Sequence, residues 1–311
     1  DMQDWNINFS RFIRRFNETS YWNAVDPKQD GFVNQFGTLK GLQNLTPPLR
    51  LSFLPYISGG YRTVPTSGGT IKNTLYNGGM DVKYGINESF TMDMTLIPDF
   101  GQVQSDNVIL NLTPFEQRFN ENRPFFTEGT ELFSKAGIFY SRRIGGTPSG
   151  YYDALTLASD SNYTLIKNPG LTQLYNATKF SGRTKSNLGI GIFNAVTAPM
   201  HAELRDKSGN IIKMQTEPLA NYNIIVLDQA LKNRSYITFT NTNVIRNGSA
   251  RDANVSALNL SLFNKANTYQ FLFNGAYSHV TGADAHNGFS SGISYGKVSG
   301  KWQWGIANNM V

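Results

Sequence analysis

Asp99, Asp106, Glu116, Glu121, Glu128 and Glu131 fall within one stretch of sequence that also holds Arg118, Arg123, Arg142 and Arg143. Acids and guanidiniums this crowded either pair into a network or build a site whose groups set one another's pKa. The same stretch carries Phe100, Phe115, Phe119, Phe125, Phe126 and Phe133, more large apolar rings than a solvated loop holds. Packing such a segment desolvates its charges, and desolvated charges persist when they are paired and hydrogen-bonded. The expectation is an ion-pair network of Asp99, Asp106, Glu116, Arg123, Glu128, Arg142 and Arg143. It would fix residues 98–136 inside a lumen or at its mouth. Arg123 and at least one of Arg142 and Arg143 are expected to bind acids drawn from Asp99, Asp106, Glu116 and Glu128, because the planar fork of Arg matches a carboxylate.

Other chemistries have less to stand on. Glu116 with Glu128, or Asp99 with Asp106, could act as the paired carboxylates of glycoside hydrolysis, and a membrane-associated glycan hydrolase is the alternative function. The histidines are His201, His279 and His286, with no Gly-x-Ser-x-Gly elbow near any serine. Asp284-Ala285-His286 offers two metal ligands, too few for a site, and no metal or cofactor is expected. Gly145-Gly146-Thr147-Pro148-Ser149-Gly150 lacks the Lys of a phosphate loop and reads as loop punctuation. The chain has no cysteine, which removes thiolate catalysis, zinc–thiolate sites and disulfides. Its net charge of +6 comes without a basic helix or a stacking motif, so nucleic acid is not an expected partner.

The elements that must position these residues are strands. Of 311 residues, 16% are charged and 40% hydrophobic, while 13% are aromatic; the balance is made up largely of Asn, Ser, Thr, Gln and Gly. No apolar run approaches the ~20 residues of a membrane helix. From Leu51 the hydrophobic period is two. Phe90, Met92, Met94 and Leu96 alternate with Thr91, Asp93 and Thr95, and Leu188, Ile190 and Ile192 alternate with Gly189 and Gly191. Strands are expected at 51–58, 75–85, 89–97, 173–183, 187–197, 221–230, 234–245, 253–263, 268–279, 288–298 and 301–310. They run to about ten residues, enough to cross a bilayer at a tilt. Tight turns at 184–187, 231–234, 264–267 and 299–300 alternate with longer polar connections at 198–220, 246–252 and 280–287. Tyr222, Tyr236, Tyr269, Tyr277, Trp302 and Trp304 sit near strand ends, where interfacial girdles fall. These features predict an all-β fold, an antiparallel transmembrane β-barrel of outer-membrane type.

The division expected is an N-terminal periplasmic segment, 1–49, leading into barrel strands over 50–311. In the first, 10–16 reads either as a short interfacial helix or as extended chain, and 37–45 as a brief helical turn before Pro47-Pro48. Strand parity asks for an even number of strands between 89–97 and 173–183, and 103–112 and 136–145 are assigned as two. That puts 113–131 at the periplasmic mouth or in the lumen, and 146–172 in a long outer loop. Roughly thirteen strands are placed where single-chain barrels have an even number, so part of a larger barrel is expected. Asn-x-Ser/Thr sequons inside expected strands, as at Asn176, Asn254 and Asn259, argue against a eukaryotic secretory route.

Several runs resemble a known family: Gly79-Met80-Asp81-Val82-Lys83-Tyr84-Gly85, Asp93 through Asp106, Asn111-Leu112-Thr113-Pro114-Phe115-Glu116, Arg123-Pro124-Phe125-Phe126-Thr127-Glu128-Gly129 and Tyr140-Ser141-Arg142-Arg143-Ile144-Gly145. They look like an outer-membrane barrel domain of unknown function found mainly in Bacteroidota, which usually follows a domain similar to family-nine carbohydrate-binding modules. Ile97 stands where that family usually has Asn, and Gln104 where it usually has Glu. The resemblance implies an outer-membrane channel, binding protein or subunit of an envelope complex handling glycans or other nutrients. Outer-membrane lipid and lipopolysaccharide, other outer-membrane or periplasmic subunits, and glycans would be its partners.

Overall fold

The computed structural model describes residues 2–27, 32–43, 50–66, 69–98, 118–159, 162–282 and 284–311. Strands β1 (Met2–Ile7), β2 (Ser10–Ile13), β3 (Glu18–Tyr21) and β4 (Gly37–Gln43) form two small antiparallel pairs, β1 with β4 and β2 with β3. Residues 10–13 therefore take the extended alternative, and residues 14–17 turn the β2–β3 hairpin, with Asn17 at φ 51°. The helical turn expected over 37–45 is, over the described residues 37–43, strand β4, in which Thr38 pairs with Asn6 and Leu39 with Trp5, and Gly41, at φ 88°, falls where the register shifts.

The chain continues through β5 (Leu51–Thr66), β6 (Gly69–Gly85) and β7 (Phe90–Leu96), then two one-turn helices, α1 (Pro124–Thr127) and α2 (Glu131–Ser134), and a longer helix α3 (Tyr151–Ser159). After β8 (Tyr163–Lys167) come β9 (Leu174–Arg183), β10 (Leu188–Thr197), β11 (Met200–Asp206), β12 (Ile211–Glu217), β13 (Ala220–Ala230), β14 (Tyr236–Arg246), β15 (Ala253–Phe263), β16 (Tyr269–Val280), β17 (His286–Lys297) and β18 (Trp304–Met310). Eleven of these form one antiparallel sheet in the order β18-β17-β16-β15-β14-β13-β10-β9-β7-β6-β5. It is not closed into a barrel; β5 and β18 are its edges. Strand β7 pairs directly with β9 from Phe90↔Gly182 to Leu96↔Asn176. No described residue between 97 and 173 enters the main sheet, so the two strands inserted there on parity are not needed. The first, 103–112, lies outside the described residues. The second, 136–145, is an irregular segment with a 3-10 turn at Ser141–Arg143. Gly137 at φ 67° and Gly145 at φ 75° bend it at both ends, a backbone geometry that breaks a strand.

Asn supplies the left-handed residue that the tight turns need. Asn187, Asn233 and Asn267 have φ of 63°, 56° and 51°, and Gly300 closes the last turn at 98°. At the opposite ends of the strands the expected loops 146–172 and 198–220 carry structure of their own. Strands β12, β11 and β8 form a second antiparallel sheet, over which α3 packs with Ala154, Ala202 and Leu204 fully buried. Each element is short enough for its alternation to read as a polar connection.

The main sheet has two unlike faces, set by the period of two. On one, Ile192 pairs across to Phe180 and Ile225, Leu227 to Phe239, Phe239 to Leu258, and Leu260 to Phe273. Many of these remain open, with Ile225 at 45% exposure. Toward the long connections this open face turns to amides. Asn194 Nδ2 donates to Asn221 Oδ1 at 2.7 Å and to Asn223 Oδ1 at 2.8 Å, and Asn241 to Asn254 and Ser256. The other face is packed. Phe193, Ala195, Ile224, Val226, Leu174 and Ala177 form the main core with Phe126, Leu132, Phe133 and Ile144.

Candidate functional site

The segment 118–146 covers the packed face, and its position follows from Arg123. This guanidinium is 5% exposed and fully engaged. Nε and Nη2 donate to the two carboxylate oxygens of Glu121 at 2.9 and 2.8 Å, Nη1 to the Ile144 carbonyl at 2.6 Å, and Nη2 to the Ser141 carbonyl at 2.7 Å. Its Cζ lies 4.1 Å from the Phe126 ring centroid. One side chain thus ties the start of α1 to the bend at 141–145, which is why Tyr140-Ser141-Arg142-Arg143 cannot run on as a strand. Pro124 opens α1 in the position where proline is tolerated. Ser141 Oγ donates to Glu121 at 2.5 Å. Burial pushes the Glu121 carboxyl up, but the hydrogen bonds from Arg123 and Ser141 and the Arg123 charge outweigh it, and the group is held below its ordinary value.

The remaining expected network residues are placed as follows. Arg142 donates through Nε and Nη2 to the Asn120 carbonyl at 3.0 and 2.7 Å, and its Nε is 4.0 Å from Glu121. Arg143 has its Cζ 5.9 Å from the Tyr140 ring centroid, and the Tyr140 hydroxyl accepts the Phe119 amide at 2.9 Å. Glu128 is bound by Lys83 of β6. Asp99, Asp106 and Glu116 lie outside the described residues. Among the described residues the carboxylate set against Arg123 is Glu121, two residues away, which the expected network left out. Glu128 is held below the usual carboxylate range, first by the Lys83 hydrogen bond. That is the state of an ion-pair partner or a base, not of a general acid in glycoside cleavage.

The sheet meets the 118–146 segment with charges that sequence reasoning left out. Lys179 of β9 is 3% exposed. Its ammonium donates to the carbonyls of Phe125 and Glu128, lies 4.4 Å from the Phe125 ring centroid and is 3.8 Å from Asp93 Oδ2. Further toward the tight turns, Asp228 of β13 is 1% exposed. It accepts from Lys135 at 2.8 Å, from Arg183 at 2.6 Å and from Thr238 at 2.7 Å. The signal was present: Asp93 follows Met92, Lys179 precedes Phe180, and Asp228 follows Leu227, each a charge on the inner phase of an alternating strand. Between these two clusters Phe193 gathers the rings of Phe125, Phe126, Phe133 and Phe139 at 5.6–6.4 Å. A Cβ on Gly189 would stand 2.8 Å from Leu132, and one on Gly191 3.2 Å from the Phe133 ring, so these glycines make the room that α2 occupies.

Residues 47–311 match the model of a family described as Domain of unknown function (DUF5916). The chain belongs to that family. Every segment and sheet residue named above lies inside the DUF5916 match. Among solved structures the chain is similar to OmpTdeltaL8, a loop L8 deletion mutant of OmpT, an outer membrane protein of Vibrio cholerae. The identity is 12% and the TM-score 0.30, covering 83% of this chain and 94% of that one. In-vitro folded OmpT of Vibrio cholerae is similar at 8% identity and TM-score 0.30, covering 83% and 87%. No curated protein matches the chain.

The histidines are spread over the DUF5916 chain. His279 Nδ1 is 2.6 Å from Asn287 Oδ1, and His286 Nδ1 is 2.6 Å from the Asp284 carbonyl. Among the described residues no three of His, Cys, Asp and Glu gather as a metal site. Among the same described residues no helix is long and apolar enough to cross a membrane, which leaves strands out of account. What the arrangement does chemically is to lock a segment against a wall at two levels, through Lys179 and through Asp228, with an aromatic core between.

Proposed function

We propose that the main sheet is wall of an outer-membrane β-barrel and that residues 118–146 plug its interior, so that the protein is a closed channel or solute-binding barrel. One observation carries the reading. Toward the tight turns the sheet is apolar on its open face, while its opposite face buries charged residues against the 118–146 segment. A soluble protein covers such an apolar face, whereas lipid requires it. Strands β9, β10 and β13 to β17 have 10–12 residues, the span of a tilted membrane strand. Tyr269, Tyr295 and Trp304 cluster at the tight-turn rim with centroids 5.8–6.3 Å apart, as an interfacial girdle does. The reading requires the edges of β5 and β18 to be paired in the bilayer, because lipid offers no hydrogen bonds. Its partners are outer-membrane lipid and lipopolysaccharide at the open face, and envelope subunits passing glycans or other nutrients at the long connections.

The absence of cysteine makes the test clean. Ile225→Cys and Leu227→Cys, each in the full chain reconstituted into vesicles, are expected to react with a lipid-soluble maleimide and to resist a water-soluble one. Equal labelling by both reagents overturns the membrane reading.

A further inference from the structure

Between the plug and the wall, at the end of the sheet that carries the long connections, lies a cavity of about 1180 Å³. It is larger than the usual range for a drug-sized ligand. Its two kinds of lining are separately organised. Phe139, Tyr140 and Ile144 from the plug face Ile224, Val244 and Val255 from β13, β14 and β15, which gives two apolar walls. Besides Arg123, which is taken up by Glu121, four guanidiniums rim these walls, Arg142 and Arg143 from the plug, Arg246 at the end of β14 and Arg251 from the connection that follows. Glu217 is the one acid among the described lining residues.

Two of these guanidiniums, Arg142 and Arg246, are positioned rather than left to sweep through solvent, and at Arg251 it is the backbone that is held. Arg246 Nη1 donates to the Arg251 carbonyl at 2.5 Å, its Nε lies 4.0 Å from Glu217, and its amide donates to Asp252 at 2.7 Å. Gly282, at φ 107°, lets the next connection pass so closely that a Cβ there would be 3.3 Å from Arg251 Cα. Arg142 is held by the Asn120 carbonyl. Planar cationic donors that outnumber the one described lining acid, set around apolar walls, fit an anion carrying a flat or branched apolar body. They fit a bare inorganic anion poorly, because two walls of the cavity would then stay unfilled.

We infer that this cavity is a binding site for organic anions, a carboxylate or phosphate joined to an apolar or aromatic body, held by the Arg246–Arg251 corner with its body between the plug and the wall. The inference rests on the plugged-barrel reading for its place in transport, but binding itself can be measured without a membrane. The four guanidiniums would then select among solutes reaching the plug from the long-connection side.

The test is calorimetric titration of the full chain in non-ionic detergent, with uptake by empty micelles subtracted. Four probes are used: 2-naphthoate, 2-naphthyl phosphate, the neutral 2-naphthalenemethanol and inorganic phosphate. Saturable binding of the two naphthyl anions is expected, with the neutral probe and inorganic phosphate weaker by about tenfold or more, the scale of one charge-assisted hydrogen bond. The ratio of the two naphthyl anions decides between a carboxylate and a phosphate head. Arg251→Gln should weaken both anions about tenfold, and Thr242→Trp, whose side chain would project between the apolar walls where the body is held, should weaken them at least as much. Equal affinity for the neutral probe, tightest binding of inorganic phosphate, or anion binding indifferent to both substitutions overturns the inference. If cysteine labelling supports the membrane reading while no naphthyl anion binds, this inference fails and the barrel reading stands.

Discussion

Lys135 Nζ donates to Asp228 Oδ2 at 2.8 Å across 93 residues of sequence. The lysine sits just past α2 on the plug, and the aspartate is buried in the wall on β13, where Arg183 and Thr238 complete its acceptor set. The bond anchors the plug at its tight-turn end. Asp228→Ala should cost about 3–5 kcal/mol, since it leaves Lys135 and Arg183 facing each other without their anion. Lys135→Met should cost less, about 1–2 kcal/mol, because Arg183 still pairs the carboxylate. Urea midpoints followed by heat-modifiable gel mobility check the order. Lys135→Met should also raise planar-bilayer conductance, and unchanged conductance would count against the plug as the closing element.

Glu121 gives the plug an acid limit. Its carboxyl is held below its ordinary value of 4.5, so its contribution to stability is fully present above that value. The contribution is lost as pH falls through the lowered folded value. The plug should therefore be indifferent to pH near neutrality and loosen below about pH 4. Glu121→Gln should remove this acid limb and cost about 2–3 kcal/mol at pH 7, because Arg123 stays buried with a weaker acceptor. Proteolysis of the 118–146 segment across a pH series reads both effects.

The aromatic centre can be broken in two opposite ways. Phe193→Ala removes the ring that four others pack on, and should cost about 3–5 kcal/mol through the cavity left behind. Gly191→Leu adds volume where Phe133 already stands 3.2 Å from a Cβ position. It should expel α2 while leaving the β9–β10–β13 pairing intact. Strand content by circular dichroism should hold in Gly191→Leu while protease access to 125–135 rises. Loss of strand content instead would show that the sheet depends on the plug to fold.

The sequence by itself determined the β-strands, because a strand's two faces are written as alternation and its turns as Asn and Gly. The strands β9, β10 and β13 to β18 start and end within a few residues of where the period of two places them, and the crowding of charge and phenylalanine at 118–143 marks the segment that packs against them. Tertiary structure decided the pairings. Period two shows that Asp228 and Lys179 point to the face opposite Leu227 and Phe180, but not that residues 93 and 51 positions away meet them. Arg123 could have bound any acid within reach; the bend at Gly145 and the carbonyls of Ser141 and Ile144 fixed its fork on Glu121. Residues 136–145 show the same limit, since Ile138-Phe139-Tyr140 has a strand's local pattern and Tyr140 keeps extended backbone, yet Arg123 takes the carbonyls of Ser141 and Ile144 just beyond it and no described strand pairs with it. Local period is a property of neighbours along the chain, whereas the partner of a buried charge is set by where distant segments come to rest.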